Sequence, residues 1–485
     1  MIPIDFLSAP THENVRILCW IWVVLFGLLL WHQWTSPRAV GLPLVYAFGM
    51  SVTHLGGPFA YSFDWYTPRS AYLIQCGNSI VNTHSGMWMS TLGFLSFVVG
   101  VRLCPLLFPK SPRLPSVPLS PQISSKMPGT LFLLSFAFFF VVSPIVRRIP
   151  SIGALATGGI YFSVVAVFLF CYQAYQQRNY PRFRKWLLAS CGFPIFTVLL
   201  MGFISYGASS VMAVWMLVMR FYRPRWISVA GLLVILYFGL SVFINWMSNR
   251  EYIRSAVWAS RSTNAALAGL DRIIVVAKKS SLFSPTNQTH LEFLDGRLNQ
   301  GDFVGKAMTH TGSKVPFAGW NTAWVAGTAW IPRLIWPGKP LYGGSGDMVS
   351  FYTGQDLDEG SSFGVGQVLE FYVSAGSSTV IIGFLLFGVL ITFLDQRAAF
   401  YLKFGDYWNV ARWMLPALGL NQPTGALGEV VSACAANGVL VYLLHLYLFA
   451  KHYPSPHETC LSKEKFAPNR RQVRGSKPTR YLRSE

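Results

Sequence analysis

The 485 residues are 52% hydrophobic and 12% charged, with a mean hydropathy of +0.41 and a net charge of +20. The charged share is about half that of an ordinary globular chain, which excludes a soluble globular protein. The basic excess gathers at the ends of apolar runs and in the C-terminal tail, as in cytoplasmic loops of membrane proteins, so nucleic-acid binding is the weaker explanation.

Eleven apolar runs read as transmembrane helices: 15–31, 41–61, 86–103, 129–145, 152–172, 186–205, 208–220, 227–246, 377–394, 410–420 and 426–449. A span needs about 20 residues, so the seventh and tenth are short. The first follows Asp5 and Glu13 rather than a basic segment and has no small-residue cleavage site behind it, so it reads as a retained span. Seven cysteines are scattered without a CxxC, which suggests neither a disulfide framework nor a zinc site.

Basic links fall after alternate spans: Arg38; Arg102, Lys110, Arg113 and Lys126; Arg178, Arg182, Arg184 and Lys185; Arg220, Arg223 and Arg225; Arg397 and Lys403; and the tail 451–485, with nine Lys/Arg against three Glu. Placing these in the cytoplasm puts the N-terminus outside and the C-terminus inside. Arg147 and Arg148, in the tight fourth connection, then lie on the outer side. The expected fold is an all-α polytopic membrane protein of about eleven transmembrane helices with one large extracytoplasmic loop. Spans 1–8 fill 1–246, the loop 247–364, spans 9–11 residues 365–450, and a basic cytoplasmic tail 451–485.

The loop carries eleven Lys/Arg and nine Asp/Glu, a mixed-charge composition that predicts ordered protein. Its first part reads as a helix continuing out of the eighth span. Arg250, Arg254, Arg261 and Arg272 fall at offsets 0, 4, 11 and 22, within roughly 40° on one face at about 100° per residue. That is either a solvated face or a basic stripe that an anionic substrate can follow. Further on, the run IPRLIWPGKP (331–340) sets Arg333 and Lys339 among Trp330, Trp336 and three prolines. Prolines fix φ, so these cations sit on a stiff, irregular backbone, suited to a diphosphate or to a surface anchor. Asn287-Gln288-Thr289 matches a glycosylation triplet of little weight. Asp347, Asp356, Asp358 and Glu359 lack ligand-like spacing, and no structural metal is predicted.

Ionisable side chains at membrane depth are costly and each needs a reason. His54 lies late in the second span, ahead of Gly56-Gly57-Pro58, which is expected to loosen the helix. Glu370 precedes the ninth span, Glu429 opens the last, and Arg147 and Arg148 close the fourth connection. Each of these alone fits a satisfied interhelical hydrogen bond. Together, on one side of the membrane, they fit an acid/base and anion-clamp set. The chain has no GxxxxGK[ST], HExxH or EF-hand pattern.

Five stretches resemble the oligosaccharide repeat-unit polymerases, the Wzy-type O-antigen and exopolysaccharide polymerases of bacteria. They are PIFTVLLMGFISY (194–206), REYIRSAVW (250–258), RLN (297–299), IPRLIWPGKP (331–340) and GVGQVLEFYVSAG (364–376). The resemblance implies a fold similar to multi-span lipid-sugar glycosyltransferases (GT-C-like) in the bacterial cytoplasmic membrane. It implies transfer of a growing glycan from undecaprenyl pyrophosphate to an incoming lipid-linked repeat unit at the outer face, with no cofactor or metal. Arg333 and Lys339, then Arg254, Arg261 and Arg297, are the expected pyrophosphate ligands, and Glu370 or His54 the expected base. Arg250, Arg147, Arg148, Tyr372, Trp336 and Glu429 are secondary candidates. Membrane lipid is an expected partner; whether a chain-length regulator or a flippase also binds stays open. An O-antigen ligase, with the same donor and another acceptor, and a flippase of lipid-linked sugars are the competing readings.

Overall fold

A computed structural model describes residues 9–109, 121–142, 158–201, 203–222, 226–259, 263–331, 335–339, 345–356 and 364–449. Within them the chain is helical, with no strand and one isolated bridge, Thr311 to Val315. It divides into two compact units, Met1–Gly438 and Val439–Glu485, and the second is described only as the continuation of the last helix to Phe449. Every other described helix lies in the first unit.

The membrane-length elements are α1 (His12–Thr35), α2 (Leu42–Tyr61), then after the one-turn-and-a-half α3 (Ala71–Cys76) the long α4 (Ile80–Leu107). Next come α5 (Pro121–Ala137), which runs into a π-helical segment Phe138–Val142, and α6 (Gly158–Gln176). Two short helices follow, α7 (Tyr180–Ser190) and α8 (Phe193–Met201), and then the 18-residue α9 (Ile204–Phe221). The chain is a helical membrane protein: seven described helices are long and apolar enough to cross a bilayer, and they coincide with seven of the expected spans.

Two expected elements differ. The run 186–205 is not one span but two short helices, α7 and α8, separated by a turn at Cys191–Gly192. Pro194, with fixed φ and no amide, belongs at the start of α8 and not inside a longer helix. The run 410–420 lies in a helix, Tyr407–Leu420, whose 14 residues reach only about 21 Å against a hydrocarbon core of about 30 Å.

α10 (Trp226–Ala259) does continue the eighth run into the following polar segment as one 34-residue helix, as expected. The arginine stripe does not continue along it. α11 (Thr263–Lys278) doubles back, and the Arg272 guanidinium lies 4.5 Å over the Tyr252 ring. Its Nη1 donates to Ser255 Oγ at 2.7 Å and to the Tyr252 carbonyl. A straight helix would separate positions 252 and 272 by about 30 Å.

The loop continues as α12 (Gln288–Arg297), α13 (Gln300–His310), α14 (Asn321–Ala329), α15 (Ser345–Thr353) and α16 (Gln367–Ala375). Asn287, of the glycosylation triplet, caps α12 by accepting the amides of Thr289 and His290. Gly376, at φ 79°, breaks α16 from α17 (Ser377–Lys403), which is followed by α18 (Tyr407–Leu420) and α19 (Leu427–Phe449).

The core is built around α4. Phe94 stacks on Trp22 of α1 at 4.6 Å, and α17 crosses so closely that a Cβ on Gly388 would meet the Phe97 carbonyl at 2.4 Å. α17 also fixes α2: the buried Asp395 carboxylate accepts the amides of Val40, Gly41 and Leu42 at 3.1, 2.8 and 2.8 Å. These are donors a helix start leaves unsatisfied.

Candidate functional site

The most polar buried region is assembled by the joint between α12 and α13. Asn299 occupies that joint as the N-cap of α13, accepting the Asp302 amide at 3.1 Å. Its Nδ2 donates to Asp295 at 2.7 Å and to Thr83 at 3.0 Å. Asp295 also accepts from the Tyr61 and Tyr66 hydroxyls, at 3.0 and 2.9 Å, and from Asn78 at 3.1 Å. Burial pushes the Asp295 carboxyl up, and these four donors work against that push.

One turn into α13, Asp302 forms an ion pair with Lys306, both nearly inaccessible. Lys306 also donates to Asn78 at 3.2 Å and Gln355 at 3.4 Å. Burial raises the Asp302 pKa to about 6, with Lys306 pulling it down. α13 reaches this depth because it presses on α4 at glycines. A Cβ on Gly86 would lie 1.7 Å from the Gly301 carbonyl, and one on Gly305 would lie 1.9 Å from that of Asn82. Gly301 and Gly305 are spaced as in the small-xxx-small packing of membrane helices.

An open cleft of about 120 Å³ adjoins this network, lined by Tyr72, Cys76, Asn78, Asp295, Arg297, Asn299, Gln300, Asp302, Phe303 and Gln355 among others. The Gln300 Oε1 lies buried with no hydrogen-bond partner among the described residues. Arg297, in the last turn of α12, holds its guanidinium 5.9 Å from the Tyr72 ring centroid. Arg250 and Arg254 approach from α10. Burial, then the Arg250 charge, lowers the Arg297 pKa. Burial, then Arg250, lowers that of Arg254, with Arg297 contributing and Glu251 opposing. The three side chains are thus close enough to repel one another. Arg250 is paired with Glu251 at 2.9 Å, and Arg254 lies 4.9 Å over Phe203. Among the described residues, no three His, Cys, Asp or Glu side chains converge to hold a metal ion.

Of the expected pyrophosphate ligands, the structure brings Arg254 and Arg297 together with the secondary candidate Arg250. It places Lys339 elsewhere: its Nζ donates to the carbonyls of Ala329 and Ile331, at 2.8 and 3.2 Å, at the end of α14. Trp336 is half-buried and accepts the Lys339 amide through its carbonyl. Arg333, Arg261, Arg147 and Arg148 lie outside the described residues.

The expected bases occupy separate packing. Glu370 is buried in α16 and accepts the Leu427 amide at 2.5 Å; burial raises its pKa to about 7, with Glu429 adding to the rise. Glu429 accepts the Ala426 amide at 3.3 Å, and Tyr372 packs its ring 6.2 Å from that of Phe317. His54 meets Ser90 Oγ through Nδ1 at 2.9 Å and stacks on Trp22 at 6.0 Å, its Nε2 buried without a hydrogen bond among the described residues. The glycines after it do not loosen α2, which runs unbroken to Tyr61. Gly57 instead donates its amide to the Leu298 carbonyl at 2.8 Å, admitting the 298–299 backbone.

Sequence reasoning missed Asp295, Asn299, Asp302 and Lys306. The available signal was the overlap of Gly301-x-x-x-Gly305 with the i, i+4 pair Asp302/Lys306.

A family model described as a domain of unknown function (DUF8712) matches residues 69–415. The chain belongs to this family. The DUF8712 match takes in every cleft residue from Tyr72 to Gln355, both buried carboxylates, the three arginines and Glu370, and leaves His54 and Glu429 outside. No curated protein and no solved structure matches the chain.

Proposed function

We propose that the protein is a multi-span membrane glycosyltransferase that joins undecaprenyl-pyrophosphate-linked oligosaccharide units into a surface polysaccharide, at the outer face of a bacterial cytoplasmic membrane. The observation that carries this reading is Arg297 lining a cleft that also presents buried carboxylates, with Arg250 and Arg254 near enough to add their charge to its field. Glycosyl transfer from a diphosphate separates charge between the anomeric carbon and the leaving group. Guanidinium groups bind such oxygens through paired donors and hold them more tightly as that charge develops. Clustering like charges is costly without an anion, and a diphosphate removes that cost.

In this reading the acceptor sugar occupies the cleft. Asp302 takes the acceptor proton, because it lines the cleft and Glu370 and His54 do not. A pKa near 6 suits a base working near neutral pH. A GT-C-like topology with the N-terminus outside and the C-terminus inside belongs to the same proposal.

The test is the glycan profile of a deletion strain carrying Arg297→Ala or Arg254→Ala. Long polymer should fall at least tenfold while single lipid-linked repeat units accumulate. Unchanged polymer would remove the clamp, and polymer left on the lipid carrier would make the protein a ligase.

A further inference from the structure

α14 presents an aromatic face that none of the described residues covers. Trp320 is 88% exposed, Trp324 60%, Trp330 53% and Phe317 42%. Positions 320, 323, 324 and 327 fall on one side at helical spacing and are all exposed, while Thr322 and Ala326 are buried. No charged side chain occurs between Lys314 and Arg333. So large an uncharged aromatic face is unfavourable in water and marks a contact surface.

The rest of the fold says what the surface contacts. The N-terminal end of α14 is tied to the last turn of α16: Ala318 and Gly319 donate to the carbonyls of Val373 and Ser374 at 2.8 and 2.9 Å. The hydroxyls of Thr322 and Ser374 lie 2.6 Å apart. Three residues after Ser374, Ser377 begins α17, one of the apolar membrane-length helices. The C-terminal end abuts the start of another, α19: a Cβ on Gly428 would sit 3.4 Å from Ala329 Cβ. At about 14 Å, the nine-residue α14 is too short to cross a bilayer. It instead bridges the starting ends of two spans. Its last carbonyls, which lipid could not satisfy, are taken by Lys339 Nζ.

We infer that α14 is an interfacial helix that inserts Trp320 and Trp324, flanked by Phe317 and Trp330, into the headgroup region of the bilayer where α17 and α19 begin. Tryptophan favours that depth, with an apolar body and one N–H for the wet side. The inference holds whether or not the protein is a transferase.

The full chain, reconstituted in liposomes of phosphatidylethanolamine and phosphatidylglycerol, tests it by tryptophan fluorescence. Subtracting the spectrum of the Trp320→Phe/Trp324→Phe protein isolates two of the seventeen tryptophans and keeps the face apolar. Trp320→Phe and Trp324→Phe alone provide independent subtractions. Lipids brominated on the upper acyl carbons should quench the difference signal at least twofold, and aqueous iodide should leave it nearly unchanged. Quenching by iodide but not by bromolipid would overturn the inference. So would an iodide-accessible signal shielded only by added oligosaccharide, which would make the face a glycan platform.

Discussion

A Cβ on Gly57 would lie 2.1 Å from Asn299 Cγ, so α2 and the α12–α13 joint meet with no space for a methyl group between them. Asn299 cannot swing aside, because Thr83 and Asp295 hold its side chain. Gly57→Ala should therefore cost about 2–4 kcal/mol or prevent folding, through overpacking and loss of the buried Asp295 network. Gly27 in α1 is the matched control, with nothing among the described residues within 4 Å of its added Cβ. Gly27→Ala should be neutral or stabilising by up to about 1 kcal/mol. Thermal unfolding of the two variants in detergent decides, and equal behaviour would remove the close-contact argument.

Asp395 holds three consecutive amides 353 to 355 residues away in sequence. Asp395→Ala leaves them buried without an acceptor, at about 1–3 kcal/mol each where water cannot reach. Asp395→Asn keeps an acceptor oxygen and should lose much less. The measurement is the difference in unfolding temperature between the two variants. If Asn is as damaging as Ala, the carboxylate acts through its charge and not by capping α2.

The helical membrane fold was legible because apolar runs of bilayer length leave little alternative. So was the continuation of α10 past the eighth apolar run to its arginines 250 and 254. The periodicity of Arg250, Arg254, Arg261 and Arg272 misled because an angular match ignores chain reversal. Arg272 shares the face only in a straight helix, and here it packs back on Tyr252. Asp295 and Asp302 were overlooked because an acid in a long polar segment reads as solvated. Their burial comes from partners more than two hundred residues earlier, among them Tyr61, Asn78 and Ser79. Lys339 carried the right charge, but its orientation toward the α14 carbonyls depends on a turn that composition does not encode.

Glu370 gives a pH signature. Its folded pKa is about 7, raised by burial above its ordinary 4.5, so between these values the native state holds a proton that the unfolded state has released. Stability then falls as pH rises through that window. At about 1.4 kcal/mol per pH unit, the contribution lost by pH 8 is on the order of 3 kcal/mol. Glu370→Gln keeps an acceptor for the Leu427 amide without a charge to bury. It should stabilise the protein at pH 8 and leave it unchanged near pH 4.5. A gain that is the same at both pH values would sink this account.

The Asp302–Lys306 pair is the remaining test, because each partner makes the other's burial tolerable. Lys306→Met strands a buried carboxylate, and Asp302→Asn strands a buried ammonium. Breaking such a pair costs about 3–5 kcal/mol, whereas replacing both members is often close to neutral. The double variant Asp302→Asn/Lys306→Met should thus be more stable than the sum of the single changes by at least about 2 kcal/mol. The singles should also differ in pH dependence. Without Lys306, burial alone acts on Asp302, whose pKa moves further up from about 6. The native state of Lys306→Met then retains a proton that the unfolded state loses, and its deficit grows as pH rises. Asp302→Asn has no such acid, while the wild type loses stability as its own Asp302 deprotonates near 6, so the Asn variant's deficit should shrink from pH 5 to 8. A double-mutant cycle from unfolding in detergent at those two pH values measures both effects. Additive losses with parallel pH profiles would mean that the two side chains are neighbours without being a unit.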